Sequence, residues 1–303
     1  LLQPPTPKRV LAIDPGLRYG CKAVALDERG QLLGETTAHA LGDAERVSEG
    51  RRRLAELIKK FKLEVIAIGN GTGVRQAETT VATMLSENFA DDSIAYTLIN
   101  ESGSSVYSTA PLAVEELPEA DPRARAAVAI GRRLIDPLSE FVKVDPDQIG
   151  SGSYQQDVKL KHLQTPLVAT IRECVNAVGV DVNRASPSLL RFVSGLDEHT
   201  ATAIAEHRLK AQPYTCLEDI KEVTDISAAT WEQAVGFLRV FNGAEPLDAT
   251  AVHPDHYALA RKLLEKAKLT TEELVAEIQR QRAMLPSANP TPSNSSPDVE
   301  SAT

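Results

Sequence analysis

Residues 10 to 37 read VLAIDPGLRYGCKAVALDERGQLLGETT, and the three apolar runs broken by the turns DPG and DERG decide the architecture of the first domain. Apolar stretches separated by short glycine-containing turns form consecutive strands that pair as hairpins. The spacing therefore predicts an antiparallel three-stranded meander at the start of the fold. Working outward, residues 44 to 61 place Val47, Leu54, Leu57 and Ile58 at helical spacing, and LEVIAIGNG (63–71) comes next as a buried strand running into glycines. Residues 74 to 88 are expected to be helical and SIAYTLINES (93–102) to be a further strand. Asp121 before Pro122 supplies an N-cap with proline at the first helical position, opening a helix through Arg133. Hairpins join antiparallel strands, whereas strands separated by helices need crossovers, so the expectation is a mixed sheet with helices packed on it.

After Asp136 the strand signals stop, and capped helices are expected to succeed one another to about residue 285. Ser186 before Pro187, Asp197 before EHTATAIAEHR, Ser227 before AATWEQAVGFL, and Thr270 with Glu273 as a capping box mark their starts. Between the two regions IGSGSYQQDV, with Gly150, Ser151, Gly152 and Ser153, reads as a connector. From Pro286 the sequence PSANPTPSNSSPDVESAT is rich in Pro, Ser and Asn and is expected to be a disordered tail. The resulting division is a flexible N-terminus over 1–7, an α/β domain over 8–136, helical domains over 137–240 and 241–285, and a tail over 286–303.

Composition sets limits on function. The chain has 303 residues, 42% of them hydrophobic and 25% charged, which excludes wholesale disorder and fibrous classes. No run of eighteen apolar residues is present, so no membrane partner is expected. Cys21, Cys174 and Cys216 lie far apart, which argues against a disulfide framework or a thiolate zinc site and favours a cytoplasmic location. The start, LLQPPTPKRV, shows no secretory pattern and no initiator Met, so a fragment, a processed chain or an unusual start is expected. With 33 Lys plus Arg against 42 Asp plus Glu the net charge is -9, which opposes nucleic-acid binding unless placed residues supply it. Two basic clusters offer themselves: Arg51, Arg52 and Arg53 with Lys59, Lys60 and Lys62, and Arg123, Arg125, Arg132 and Arg133. Each also reads as a solvated helix face.

Two chemistries stand out. Asp14 ends the first strand and Glu101 the last, and the expected topology makes those ends neighbours on one edge of the sheet. Two such carboxylates, with Asp121 from a helix, form a candidate catalytic set able to hold Mg2+ or Mn2+ for phosphodiester hydrolysis, with Asp14 and Glu101 as the metal ligands. Each also has an ordinary reading: a turn residue, a solvated acid and a helix cap. GNGTG (69–73) lacks both the dinucleotide and the phosphate-loop spacing and reads as a tight strand-to-helix turn. In VSGLDEHTATAI, Gly195 sits between two helices, and Ser194, Gly195, Leu196 and Asp197 form a candidate phosphate-backbone contact. The second unit, VTDISAATWEQA, repeats that rhythm with Ser227 in the turn and no glycine.

Seven blocks, VLAIDPGLRYGCK, IAIGNGTGVRQAE, INESGSSVYS, RARAAVAIGRRLIDPLSEFVKVDP, CVNAVGVDVNRAS, GFLRV and PLDATAVHP, occur in that order over roughly residues 8 to 260. Together they resemble the bacterial Tex family of transcription accessory proteins, whose core a eukaryotic elongation factor shares. The resemblance implies a YqgF-type, RNase H-like domain over about 8–136, then helix-hairpin-helix modules that bind DNA or RNA, and possible contact with the transcription machinery. It also implies that full-length relatives carry an N-terminal helical region and a C-terminal OB-fold RNA-binding domain, neither of which this sequence shows. Ser227 replaces the glycine usual in the family's second hairpin. Asp121 lies five residues before Ala126, where YqgF-type nucleases place their last Asp closer to the Ala pair. The resemblance thus implies a nucleic-acid-binding protein whose RNase H-like domain acts as a scaffold, with a Mg- or Mn-dependent nuclease as the rival.

Overall fold

The computed structural model describes residues 8–149, 157–210, 212–241 and 243–284. The expected flexible N-terminus (1–7), the connector around Gly150 to Ser153 and the tail (286–303) lie outside the described residues.

The meander forms as the turns require. β1 (Val10–Asp14) pairs antiparallel with β2 (Cys21–Leu26), which pairs antiparallel with β3 (Leu32–Ala38). β4 (Val65–Gly69) returns through α1 (Ala44–Phe61) to lie parallel to β1, and β5 (Ala95–Ile99) returns through α2 (Val74–Asn88) to lie parallel to β4. The sheet order is β3-β2-β1-β4-β5. Side chains alternate across a pleated strand, so β1 feeds two cores. Leu11 and Ile13 join Ile66 and Ile68 beneath Leu54, Ile58, Val81 and Met84 of α1 and α2. Val10 and Ala12 join Val24, Leu26 and Ala67 on the other face, under Ala127, Val128 and Ile130 of α5 (Pro122–Ile135). Burial of each Val, Leu or Ile here contributes about 1.5–3 kcal/mol. Two short helices, α3 (Ser104–Thr109) and α4 (Pro111–Glu116), lead from β5 to α5.

A short segment ties the sheet domain to the helices beyond. In α6 (Pro137–Phe141) and the residues after it, Leu138 and Val142 enter the helical core, whereas Val144 packs with Tyr107 and Ala129. The helical core is built by α7 (Leu160–Val178), α8 (Pro187–Leu190), α9 (Glu198–Lys210), a 3-10 turn over Leu217–Glu222 and α10 (Ala228–Ala234). The expectation of an unbroken run of helices needs one amendment: β6 (Val180–Asp181) pairs in parallel with β7 (Leu238–Arg239). A two-residue pairing between segments so distant leaves no periodicity for the sequence to display. α11 (Tyr257–Ala267) and α12 (Thr271–Met284) complete the described helices. The Thr270–Glu273 capping box forms as read, Glu273 N–H donating to Thr270 Oγ1 at 3.1 Å and Thr270 N–H to Glu273 Oε2 at 2.8 Å.

Candidate nucleic-acid interface and carboxylate edge

At the carboxyl edge of the sheet, Asp14 and Glu101 come within electrostatic reach of each other across the end of β4. Burial, reinforced by Glu101, pushes the Asp14 carboxyl up to about 6 against the pull of Arg123. Burial raises Glu101 as well, opposed by a Gly71 N–H hydrogen bond and by Arg133. Gly71 is required by this approach, because a Cβ there would stand 1.6 Å from Glu101 Oε1. The GNGTG turn is thus explained by the acid it accommodates. Asn70 holds the same residue from the other side, its Oδ1 accepting from Glu101 N–H at 3.1 Å. Glu101 Oε2 is buried without a hydrogen-bond partner.

Asp121 is committed differently. Its Oδ1 caps α5 by accepting from Ala124 N–H at 2.8 Å, and its Oδ2 accepts from Lys22 Nζ at 2.8 Å. Burial opposes its charge, but Lys22 and the capping amide outweigh that and hold its carboxyl below the usual range. Lys22 stands opposite Asp14 in the β1–β2 register, its side chain 8% exposed, and also binds Glu35 at 3.0 Å. Among the described residues no three His, Cys, Asp or Glu side chains come together as a metal-binding group. The orphaned Glu101 oxygen and the raised Asp14 suit an oxygen-donor pair, but the donor set of a two-metal hydrolytic centre is not assembled, because Lys22 occupies the third carboxylate.

The arginines of both basic clusters are taken up within the molecule. Arg51 pairs with Glu87, Arg52 with Glu49 and Glu56, and Arg53 with Glu49. Arg125 and Arg133 are buried, Arg132 pairs with Glu116 at 2.6 Å, and Arg123 donates to the Gly20 carbonyl. The arginines of the first cluster lie on a solvated face with acidic partners, and Arg125, Arg132 and Arg133 of the second are internal. Lys59, Lys60 and Lys62, by contrast, are exposed with no acidic partner among the described residues. The spacing of this second set does not disclose its burial. The available signal lies in its partners: Glu116 also binds Lys143 at 3.0 Å and accepts from the Tyr107 hydroxyl at 2.7 Å.

The first hairpin joins α8 to α9. Ser194 is pinned to α7, its N–H donating to Asn176 Oδ1 at 3.1 Å and its Oγ accepting from Asn176 Nδ2 at 2.7 Å. Gly195 has φ +90°, and a Cβ there would meet Gln233 Cβ of α10 at 2.8 Å, so glycine serves both the turn and the contact between hairpins. Leu196 is buried in the core. Asp197 caps α9, its Oδ1 accepting from Thr200 N–H at 2.8 Å and its own N–H donating to Thr200 Oγ1 at 2.9 Å. The Thr200 amide holds the Asp197 carboxyl below the usual range. The amides of Ser194, Leu196 and Asp197 are therefore satisfied, whereas among the described residues the Gly195 N–H has no acceptor. In the second hairpin Ser227 caps α10, its Oγ accepting from Thr230 N–H at 3.1 Å.

A sheet of this order with helices on both faces, succeeded by paired helical hairpins, defines an RNase H-like domain joined to a helix-hairpin-helix region. Comparison with known families gives the same division: residues 8–135 match the Tex protein YqgF-like domain, 175–239 a helix-hairpin-helix motif and 245–296 an HHH domain. Protein tex of Bordetella pertussis is 40% identical over 288 residues, covering 95% of this chain and 36% of that protein. The Transcriptional accessory protein Tex of Neisseria gonorrhoeae is 39% identical over 270 residues, covering 89% of this chain and 35% of that one. The chain belongs to the Tex family, and it spans a little over a third of the length of these relatives. A T. thermophilus RuvC in complex with Holliday junction substrate covers 41% of this chain and 90% of its own at 20% identity with a TM-score of 0.30, a likeness that carries no weight here.

Proposed function

We propose that this chain binds nucleic acid without sequence preference, through the backbone-contacting turns of its helical hairpins, with the RNase H-like domain as a scaffold that does not hydrolyse. The observation that carries the reading is the Ser194–Asp197 turn, held from α7 and α10, with the Gly195 N–H left as an open donor. A rigid turn presenting a backbone amide positions a phosphate without reading bases. Gly195 makes this contact, with Ser194, Leu196 and Asp197 shaping the turn around it, and Ser227 sets the register of the second hairpin. DNA and RNA are both admitted by that chemistry. A part in transcription beside other components, as the name of the Neisseria gonorrhoeae relative suggests, and a cytoplasmic location belong to the same proposal, with 8–136, 137–240 and 241–285 as the working units. Among the described residues no helix is long and apolar enough to cross a membrane.

Fluorescence anisotropy with labelled single-stranded and duplex DNA and RNA tests this. Binding should weaken steeply with salt and vary little with sequence; no binding at low salt overturns it.

A second reading, a Mg- or Mn-dependent nuclease acting through Asp14, Glu101 and Asp121, draws on the Asp14–Glu101 pair and the orphaned Glu101 oxygen. The Lys22–Asp121 ion pair favours the scaffold. End-labelled single-stranded, duplex and branched substrates run on denaturing gels with either metal should stay intact, and cleavage that Asp14→Asn abolishes would restore the nuclease.

A further inference from the structure

We propose that the loop between β1 and β2 is a second contact for nucleic acid, specific for single strands, in which the Tyr19 ring stacks on a base while Arg18 and Arg75 meet the backbone. This rests on the nucleic-acid reading above and adds a site outside the hairpins.

Tyr19 is 62% exposed, and nearby Leu17 is 45% exposed. The other described tyrosines are all engaged through their hydroxyls: Tyr96 on Glu78, Tyr107 on Glu116, Tyr214 on the Ile204 carbonyl and Tyr257 on Asp248. Tyr19 is the most exposed of the described tyrosines and has none of their partners, so the fold does not account for an aromatic ring at this tip. The Arg18 guanidinium lies over that ring, 5.1 Å from its centroid. An exposed aromatic ring is a platform for an unstacked base, and a guanidinium beside it is placed to meet the adjoining phosphate.

The loop is anchored and therefore preorganised. Arg123 of α5 donates to the Gly20 carbonyl at its end. Leu17 reaches to the start of α2, where a Cβ on Gly73 would stand 2.8 Å from its Cδ2. That contact brings the first turn of α2, with exposed Arg75, beside the loop. Among the described residues neither Arg18 nor Arg75 has an acidic partner, in contrast to Arg51, Arg52 and Arg53, each of which has one. Cations left unpaired on a chain of net charge -9 are the ones available to phosphate. Duplex bases are already stacked on one another, so the tyrosine distinguishes a single strand from a duplex.

The test is a single-tryptophan probe, Tyr19→Trp combined with Trp231→Phe, titrated with unlabelled oligo(dT) and oligo(dA), alongside anisotropy of the same variant. Base stacking should quench the probe over the concentrations at which anisotropy rises, and heparin should not quench it. Binding without quenching overturns the loop contact and leaves the hairpin reading intact. No binding by the variant and by the unaltered chain overturns both. Equal quenching by heparin shows an electrostatic contact without stacking and overturns the proposal. In the otherwise unaltered chain, Tyr19→Ala should weaken single-strand binding roughly tenfold and leave duplex binding unchanged, with Tyr19→Phe retaining full affinity. Equal single-strand affinity for Tyr19→Ala would overturn the proposal even where the double variant fails to fold.

Discussion

The carboxyl edge of the sheet and the first helical hairpin treat their polar groups in opposite ways. At the edge, Asp14 and Glu101 face each other in a buried setting, and the cations nearby are already bonded: Lys22 to Asp121 and Glu35, Arg123 to the Gly20 carbonyl. In the hairpin, Asn176 and Thr200 side chains and the Val193 carbonyl satisfy the neighbouring amides and leave the Gly195 N–H open on an exposed turn. The first arrangement holds its charges together internally. The second is a rigid donor facing solvent. An RNase H-like sheet can thus keep a buried acid pair at its edge while an unpaired backbone donor stands on an exposed turn of the helical region.

The largest effect expected from breaking this contrast is at Gly195. Gly195→Leu adds a positive-φ penalty to a clash with α10, and should cost the helical domain about 3 kcal/mol. Denaturation monitored by the fluorescence of Trp231, the chain's single tryptophan, reads that domain directly.

The edge should respond to pH in a defined direction. Because Asp14 titrates near 6 in the fold and near its ordinary value when unfolded, the folded chain binds the extra proton between those values. Stability contributed there is present at low pH and is lost as pH rises through about 6. Asp14→Asn should therefore raise stability by about 1–3 kcal/mol at pH 7.5 and change it little near pH 4, as thermal melts at the two values will show.

A smaller loss is expected for Lys22→Met, about 1 kcal/mol, because Asp121 and Glu35 are partly exposed and regain water when the ammonium is removed. Melts of Lys22→Met against the unaltered chain check it. The smallest effect is Arg52→Ala. Its pairs with Glu49 and Glu56 lie on an exposed helix face, so stability should fall by less than about 0.5 kcal/mol and nucleic-acid affinity should not move. A clear loss of affinity would return that cluster to the interface.

Much of the fold is legible from residue patterns. The DPG and DERG turns fix the meander, the alternation of Leu11 and Ile13 against Val10 and Ala12 supplies two cores, and the Asp121, Ser186, Ser227 and Thr270 caps all form. The meeting of Asp14 and Glu101 comes from strand order alone. The fate of Asp121 does not, because its counter-ion sits 99 residues earlier in the chain. One clue exists: Lys22 is the only charge in the apolar strand CKAVAL, and a lysine there must find an acid. The Arg51–Arg53 pairs are open to inspection at helical spacing from Glu49 and Glu56. The burial of Arg133 and Glu140 between the sheet domain and α6 depends on tertiary packing that no local pattern records.

The measurement that bears most directly on the central claim is the salt-dependent affinity of the whole chain for labelled single-stranded and duplex nucleic acid, compared with Glu198→Lys. Glu198 is exposed at the start of α9, beside the Gly195 turn, so reversing its charge should tighten binding on the order of threefold to tenfold and steepen the salt dependence without disturbing the Asp197 cap. An affinity for both nucleic acids that is unchanged by Glu198→Lys would contradict the account and place the contact away from the hairpin.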